Sequence, residues 1–186
     1  MIITVDELLR QDIKGKIVVF PTDTVYGVGC LYDDLEAIDR IYQLKERDYD
    51  KPMAILAHNA EQLRPLVLIN DRFADLAAKH WPGALTLVAR KTDAVSIIAT
   101  ANRDTVGVRI PAHDTALRLL AHFGPMVTTS LNRTGEPALL AFADVLRYQE
   151  KVDYIVDGGD LDAVASTVYD TLANQVLRQG RIVIEP

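Results

Sequence analysis

Short apolar runs alternate with amphipathic stretches along almost the whole chain, and this alternation constrains the fold more than any other feature. Residues 17–20 form one such run, and runs of similar length occupy 53–57, 85–89, 106–110 and 126–130. Short apolar runs bounded by turn-forming residues are typical of buried strands. Because the stretches between them have helical spacing, we expect a layered α/β domain with an open, mostly parallel or mixed sheet.

Capping residues mark where several helices begin. Thr4 and Glu7 have the spacing of a capping box, which predicts a short first helix. Asp33 or Asp34 is a candidate cap for a second helix, and Asp114 for a later one. Further helices are predicted over 71–80 and 143–148, and late strands over 155–156, 167–169, 176–177 and 182–184. No repeat or Gly/Ser/Pro linker divides the chain, so residues 1–186 are expected to form a single domain.

Composition excludes several classes of protein. Cys30 is the only cysteine, which excludes internal disulfides and thiolate zinc sites. The net charge of −6 argues against binding of phosphate backbones by the whole surface, but it allows a local basic pocket. No apolar run is long enough to span a bilayer, and the N-terminus lacks the pattern of a signal peptide. We therefore expect a cytoplasmic protein that does not interact with membranes.

The segment from Lys45 to Lys51 concentrates charge of both signs. Basic residues stand at 45, 47 and 51, and acidic residues at 46, 48 and 50. In an extended segment Lys45, Arg47 and Lys51 would share one face, which would suit a polyphosphate or a carboxylate. Pro52 disfavours helical backbone at the preceding residue and so supports an extended end. The alternative is a charged helix end, favoured by Lys45 near its C-terminus, followed by a solvated loop.

Sets of residues two positions apart, most of them polar, lie near the ends of the predicted strands. These sets are Thr22, Thr24 and Tyr26; Thr105, Gly107 and Arg109; Ser130 and Asn132; and Ser166 and Val168. Residues two apart in extended backbone face the same side of a sheet. Since ligands in open α/β sheets bind beyond the carboxyl ends of strands, the pattern predicts a ligand cavity there. The alternative is the ordinary use of Ser, Thr and Asn in turns and caps.

The familiar phosphate-binding loops are absent from the sequence. The segment 27–29 lacks the third glycine of a dinucleotide fingerprint, and no G-x-x-x-x-G-K-[ST] motif occurs. A nucleotide would therefore be held by side chains and strand-end amides. The loop 157–160, Asp-Gly-Gly-Asp, is either a loop beside Mg²⁺ or a tight turn. The four histidines lack metal-ligand spacing, so no protein metal site is predicted.

Eight segments, in order along the chain, resemble the motifs of the YrdC-like family of threonylcarbamoyl-AMP synthases. They are 21–29, Lys45-Glu46-Arg47 with Lys51-Pro52, 82–88, 106–111, Ser130-Leu131-Asn132, Asp157-Gly158-Gly159, Ser166-Thr167-Val168 and Arg178. Each motif alone is weak, but their order is specific. The chain departs from the family at Leu131, where a small residue is usual, and at 138–141, which lacks the usual polar run.

The resemblance implies a YrdC-like three-layer fold, in which helices flank a twisted mixed open sheet with one large concave site. It also implies a nucleotidyltransferase that converts L-threonine, bicarbonate and ATP to threonylcarbamoyl-AMP and pyrophosphate. The product would pass to the tRNA threonylcarbamoyl-transferase proteins, which modify adenosine 37 of tRNA. Mg²⁺ is expected on the triphosphate. Because the chain ends soon after residue 184, the resemblance implies that the extra domain of longer members is absent.

The resemblance further implies a division of the site residues. Those expected to contact threonine are Thr24, Arg109, Ser130 and Ser166. Those expected to contact ATP are Arg47, Lys51, Thr105, Asn132 and Arg178. Lys45 and Arg47 are expected to be catalytic, because cations would offset the repulsion between an anionic carbamate and the α-phosphate.

Two other functions are alternatives at this point. One is an RNA-binding module that uses a basic concave face, and the steep salt dependence of such binding would identify it. The net charge of −6 disfavours that as the main role, although weak RNA binding stays open. The other is a carbamoyl-transfer domain of a maturation factor, which the lack of a fused domain disfavours.

Overall fold

The computed structural model describes residues 1–133 and 135–185. Its strands are β1 (Ile2–Ile3), β2 (Val18–Phe20), β3 (Gly27–Leu31), β4 (Ala54–Leu56), β5 (Val67–Leu68), β6 (Leu85–Lys91), β7 (Thr105–Arg109), β8 (Met126–Ser130), β9 (Tyr154–Val156), β10 (Thr167–Asp170) and β11 (Gln175–Arg178). Its helices are α1 (Val5–Leu8), α2 (Leu35–Leu44), α3 (Ala60–Leu63), α4 (Asp71–His80), α5 (Asp114–Phe123) and α6 (Phe142–Val145). A 3₁₀ turn, Leu146–Tyr148, continues α6.

The strands form one open mixed sheet, with both parallel and antiparallel pairs. Its order is β1-β9-β2-β3-β8-β4-β7-β6-β10-β11, and β5 pairs with β6. The pairs β1–β9, β9–β2, β4–β7 and β6–β10 are parallel. The other pairs are antiparallel. The predicted fold class, a mixed open sheet flanked by helices, is confirmed.

Helices cover the two faces of this sheet unequally. Successive residues of β4 point to opposite faces: Ile55 belongs to a large apolar cluster with α2 and α4, and Leu56 to a smaller one with α1 and α5. Each large apolar side chain that is removed from water in these clusters contributes about 1.5–3 kcal/mol. The sheet face that carries the smaller cluster is the face that remains available for a site.

The caps explain where most of the helices begin. Thr4 and Glu7 form the predicted capping box, and the Asp34 carboxylate accepts from the Ala37 N–H at 3.0 Å. The prediction that Asp114 caps a helix is wrong, because His113 is the cap residue of α5 and makes no side-chain capping bond. The longest helices have 10 residues. Within the described part of the chain, no helix is long and apolar enough to cross a membrane.

Two strand predictions need correction. Strand β3 is not among the predicted strands. A Cβ at Gly29 would meet Thr128 Oγ1 at 2.8 Å, so glycine is what lets β3 approach β8. The strand predicted over 182–184 does not form. The Ile182 carbonyl instead accepts from the side chains of Thr167, at 2.7 Å, and Gln179, at 2.9 Å.

Candidate active site

A cavity of about 360 Å³ lies on the sheet face that carries the smaller apolar cluster. Residues at alternate positions of neighbouring strands line it, as expected for one face of a sheet. They include Ala54 and Leu56 of β4, Thr86 and Val88 of β6, Thr105, Gly107 and Arg109 of β7, Thr128 and Ser130 of β8, and Val168 and Asp170 of β10. The same-face predictions for 105, 107 and 109, and for 166 and 168, are thereby confirmed.

The cavity lies across the sheet rather than beyond the carboxyl ends of the strands. That part of the prediction is wrong for a physical reason. Strand β4 is antiparallel to β8, and β7 is antiparallel to β6, so no single edge collects the carboxyl ends. The uncovered sheet face, rather than a crevice at the sheet edge, forms the concave surface.

Strand β7 runs along the whole length of the cavity, so its residues mark the two ends of the cavity and the floor between them. Thr105 and Arg109 are four residues apart, or about 13 Å in an extended strand. Ala54, Val88, Gly107 and Thr128 pair in one row between them and form the floor. We call Thr24, Thr86, Arg109, Ser166 and Arg178 the Arg109 end. Arg47, Arg103, Thr105 and Ser130 are the Arg47 end.

At the Arg109 end, protein groups hold the arginine firmly. Arg109 is 5% exposed, and its Nη2 pairs with the Asp23 carboxylate. Its Nη1 donates to Thr24 Oγ1 at 3.0 Å and its Nε to the Gly83 carbonyl at 3.0 Å. Burial lowers the pKa of Arg109, and the adjacent Asp23 opposes that shift. The guanidinium is therefore fixed in orientation before any ligand arrives.

Ser166 completes this end through contacts with two other residues. Its hydroxyl lies 2.8 Å from Thr86 Oγ1, and Arg178 Nη2 donates to it at 3.1 Å. The Nε of Arg178 also donates to the Ser166 carbonyl at 3.0 Å. The chain folds closely over this point, since a Cβ at Gly180 would meet the Ala165 carbonyl oxygen at 2.4 Å. Arg178, which the resemblance assigns to ATP, thus lies beside residues assigned to threonine.

At the Arg47 end, backbone carbonyls hold the arginines. Arg47 Nε donates to the Lys51 carbonyl at 3.1 Å and Nη2 to the Pro52 carbonyl at 2.9 Å. Arg103 Nη2 donates to the Asp50 carbonyl at 3.3 Å. Burial lowers the pKa of Arg47. Carbonyls orient both guanidinium groups without neutralising their charge.

Lys45 lies behind Ser130 at this end. It is 1% exposed, and its Nζ donates to the Ser130 carbonyl and to Asn132 Oδ1, the latter at 3.1 Å. The Ser130 hydroxyl donates to the same Asn132 oxygen at 2.6 Å. Burial and the nearby Arg47 lower the pKa of Lys45 to about 7. Lys45 and Asn132 therefore position Ser130 from outside the set of residues that line the cavity.

The predicted extended conformation of 45–51 is wrong. Lys45 ends helix α2, Glu46 has a left-handed φ of 49°, and the Arg47 N–H donates to the Tyr42 carbonyl at 3.0 Å. A residue with left-handed backbone just after the last turn is a common way for an α-helix to end. Lys51 pairs with Asp48 at 2.9 Å and does not line the cavity. The cationic side chains that do line this end are Arg47 and Arg103, and the role of Lys51 in binding ATP stays a prediction.

The cavity is strongly cationic although the chain is acidic. Among the described residues, four arginines line it, namely Arg47, Arg103, Arg109 and Arg178, against a single acidic lining residue, Asp170. Over residues 1–133 and 135–185, an ion pair forms to Arg109 but not to the other three. With a net charge of −6 on the chain, this concentration favours a ligand that carries several negative charges.

Comparison with known proteins agrees with this geometry. Residues 12–180 match the model of the Sua5/YciO/YrdC family, which bears the description "Telomere recombination". The threonylcarbamoyl-AMP synthase of Pyrococcus abyssi is 40% identical over 178 residues, which cover 92% of this chain and 52% of that protein. That of Idiomarina loihiensis is 36% identical over 180 residues, which cover 92% of this chain and 96% of that protein.

The chain belongs to the Sua5/YciO/YrdC family. The resemblance of its motifs is thereby confirmed. A structure of P. abyssi Sua5 complexed with L-threonine matches it with a TM-score of 0.92 and 35% identity, over 97% of this chain and 57% of that one. This Sua5/YciO/YrdC chain thus spans about half the length of the P. abyssi relative and nearly all of the I. loihiensis one.

The opening motif of this Sua5/YciO/YrdC chain lines the cavity with Thr22 and Thr24 and turns away from it at Tyr26. Thr22 Oγ1 bonds the Val25 carbonyl at 2.7 Å, so the segment turns instead of staying extended. The prediction that Tyr26 shares a face with Thr22 and Thr24 is therefore wrong. The Tyr26 hydroxyl donates to the Gly159 carbonyl at 2.7 Å and accepts from the Gly158 N–H at 3.1 Å. Burial raises the pKa of Tyr26 to about 12, in keeping with a structural hydroxyl.

The Asp-Gly-Gly-Asp loop of this family member is a turn and cap. Asp157 Oδ1 accepts from the Gly159 N–H at 3.0 Å, and Asp160 Oδ1 accepts from the Phe142 N–H at 2.8 Å. Neither carboxylate lines the cavity. In the described ranges, no group of three or more His, Cys, Asp or Glu side chains is arranged to hold a metal ion. The donors at the cavity do not fit a metal held by the protein itself.

Four residues at or beside the cavity were not singled out from the sequence. Asp23, Thr86 and Thr128 are ordinary strand and turn residues until the fold brings them together. Arg103 follows two residues that suggest only a loop. The spacing of Thr86 and Val88 within an apolar run was a usable signal, since 86 and 88 share a face. No comparable signal identified Asp23 as the partner of Arg109.

Proposed function

We propose that this protein is an L-threonylcarbamoyladenylate synthase, which converts L-threonine, bicarbonate and ATP to threonylcarbamoyl-AMP and pyrophosphate. The observation that carries the proposal is one cavity with cationic groups at both ends of a small-residue floor. Relatives named threonylcarbamoyl-AMP synthase, at 36–40% identity over 92% of the chain, support it.

The Arg109 end is the proposed threonine site. Arg109 suits the carboxylate, since guanidinium groups bind carboxylates through paired hydrogen bonds. Thr24 and Ser166 would contact the rest of the amino acid. A P. abyssi relative with the same fold has been solved with L-threonine, which supports an amino-acid site in this cavity.

The Arg47 end is the proposed site for the phosphates of ATP. Within residues 1–133 and 135–185 Arg47 forms no ion pair, so it suits a polyphosphate, as does the hydroxyl of Thr105. The resemblance assigns Ser130 to threonine, but because Ser130 lies at this end we propose that its hydroxyl contacts the phosphates. Lys51 and Asn132 are further proposed contacts, Lys51 through a change of partner from the exposed Asp48. Arg178, close enough to Arg109 to lower its pKa, would face the point where the two substrates meet.

The chemistry at that point is a transfer of AMP. The neutral threonine amine and bicarbonate give a carbamate and water, and that water takes up one hydrogen of the amine together with the hydroxyl group of bicarbonate. A carbamate oxygen then forms a bond to the α-phosphorus while the bond to pyrophosphate breaks. Both partners are anionic, so the arginines would lower the barrier by stabilising charge on the phosphoryl oxygens. Fixed placement of the two substrates would supply much of the remaining acceleration.

Mg²⁺ would enter this site as part of the substrate. Most of its ligands would be triphosphate oxygens and water molecules, which is the usual arrangement for this ion on nucleotides. We further propose that the protein acts in the cytoplasm and passes its product to tRNA threonylcarbamoyl-transferase proteins. An acyl-adenylate is reactive, so a nearby acceptor would protect it from hydrolysis.

A labelling experiment tests the proposed function. The protein is incubated with ATP, labelled bicarbonate and threonine, and the products are separated. We expect a labelled adenylate and an equal amount of pyrophosphate, both dependent on threonine. Pyrophosphate release that does not depend on threonine, or binding to RNA with steep salt dependence and no adenylate, would contradict the proposal.

A further inference from the structure

Arg103 is the cavity-lining arginine to which neither the sequence motifs nor the proposed roles assign a function. It lies at the Arg47 end. Its Nη2 donates to the Asp50 carbonyl at 3.3 Å, and over residues 1–133 and 135–185 no carboxylate lies within ion-pair distance of it. Its charge therefore remains available to a ligand.

The backbone before Arg103 is held in an unusual conformation. Ala101 and Asn102 have φ values of 55° and 60°, in the left-handed region. For alanine this region costs about 1–2 kcal/mol, so other contacts must impose it. The buried Thr100 does so, since its hydroxyl donates to the Arg103 carbonyl at 3.0 Å and its carbonyl accepts the Arg103 N–H at 3.1 Å. The result is a fixed turn that ends at Arg103.

This turn is also tied to the segment that holds Arg47. The Met53 N–H donates to the Ala99 carbonyl at 2.9 Å. The Tyr42 hydroxyl lies 3.0 Å from both the Ile98 and the Lys51 carbonyls. Since Arg47 itself donates to the Lys51 carbonyl, Arg47 and Arg103 are held in a fixed relation to each other across the mouth of the cavity.

We propose that Arg103 binds the β- and γ-phosphates of ATP and stays bound to them as pyrophosphate leaves. The proposal rests on the function proposed above. Arg103 is exposed, whereas Arg109 is deeply buried. The reacting α-phosphate must meet the carbamate inside the cavity, so the two outer phosphates extend towards the mouth. A guanidinium there stabilises the charge that the leaving pyrophosphate gains.

Calorimetry on the full chain tests this assignment with pyrophosphate and AMP as separate probes. The variants are Arg103→Ala and Arg103→Lys, with Arg10→Ala as a control that removes the same charge from an exposed site remote from the cavity. We expect Arg103→Ala to weaken pyrophosphate binding about tenfold, the effect of one lost charge-assisted hydrogen bond. AMP binding is expected to change less than about twofold, and Arg103→Lys to restore part of the loss.

The outcomes separate this inference from the proposed function. If the wild-type chain binds neither ATP nor pyrophosphate, both fail. If it binds both and Arg103→Ala binds pyrophosphate as well as the Arg10→Ala control does, only the role of Arg103 is overturned. Equal losses for AMP and pyrophosphate would also overturn it, because they would indicate a general disturbance of the site.

Discussion

The two ends of the cavity carry similar charges but are built differently. At the Arg109 end, Arg109 and Thr86 project from strands, and the guanidinium is buried against Asp23. At the Arg47 end, Arg47 and Arg103 project from loops and are more exposed than Arg109. Among the described residues, both donate to backbone carbonyls alone. The arginine at the centre of one end is paired with a carboxylate before a ligand arrives, whereas the two arginines of the other end, within residues 1–133 and 135–185, are not.

This difference matches the two kinds of substrate proposed for the cavity. A rigid, prearranged pocket loses little conformational entropy when it binds a small amino acid, so it can discriminate closely between side chains. A polyphosphate gains more from unneutralised charge than from shape. The comparison therefore predicts that changes at the Arg109 end affect stability as well as binding, whereas changes at the Arg47 end affect binding and chemistry alone.

The largest effect is expected from Arg109→Ala. The variant leaves the partly buried Asp23 without its partner. Removal of one member of a buried ion pair lowers stability by about 3–5 kcal/mol. We expect a large fall in the free energy of unfolding, measured by urea denaturation, together with loss of threonine binding. Arg109→Lys, which keeps the charge but not the fork of donors, is the matched control for the charge alone. Wild-type stability in Arg109→Ala would contradict the idea of a prearranged end.

Arg47→Ala is expected to affect activity but not stability. In the part of the chain that the structure describes, its guanidinium donates to the Lys51 and Pro52 carbonyls alone, and water can reach both once the side chain is removed. Loss of a preorganised donor in phosphoryl transfer costs about 10²–10³ in kcat, so pyrophosphate release should be nearly abolished. The unfolding midpoint is expected to stay close to that of the wild type. Near-wild-type turnover would show that this end does not stabilise the reacting phosphates.

The contrast between the ends also explains what the sequence could predict. Helix α4 and strand β8 have the predicted bounds, because their periodicity and breaking residues are local signals. Thr105 and Arg109 were paired correctly, since the two-residue repeat of a strand fixes which side chains share a face. The parts of the site that lie on strands can therefore be predicted from the sequence.

The loop-built end was harder to predict. Charges that alternate over 45–51 are compatible with an extended segment and with a helix end, and the left-handed Glu46 selects the second. A left-handed glutamate is held by the Arg47–Tyr42 hydrogen bond that closes the helix. Arg103 likewise depends on the buried Thr100. Such tertiary and capping contacts leave no periodic trace in a single sequence.

Serine in place of threonine as substrate tests how closely the Arg109 end reads its ligand. The two amino acids differ by one methyl group, which a well-packed pocket distinguishes by about 1–3 kcal/mol. We expect kcat/KM for serine to be about 10–100-fold lower, measured by pyrophosphate release. Equal turnover of the two would mean that the prearranged end recognises only the carboxylate and amine. Threonine added to the serine reaction provides the internal control.

The smallest effect concerns Lys45, which lies behind the Arg47 end. Its pKa is lowered to about 7 by burial and by Arg47, whereas in the unfolded chain it stays near 10.5. Below pH 7 both states bind the proton, and the cost of burying the charge is fully present. As the pH rises above 7, the folded state releases the proton and the unfolded state keeps it, so that wild-type stability rises by up to about 1.4 kcal/mol per pH unit.

Lys45→Met isolates this contribution because it keeps much of the side-chain length and cannot titrate. The free energies of unfolding of the two proteins, measured by urea denaturation at about pH 6.5 and pH 8.5, are subtracted at each pH. We expect the difference to move in favour of the wild type by on the order of 1–2 kcal/mol at the higher pH. A difference that does not change with pH would mean that Lys45 keeps its proton in the fold. The Arg47 end would then hold a permanent third cation, and the contrast in charge between the two ends would be larger than the pKa of Lys45 indicates.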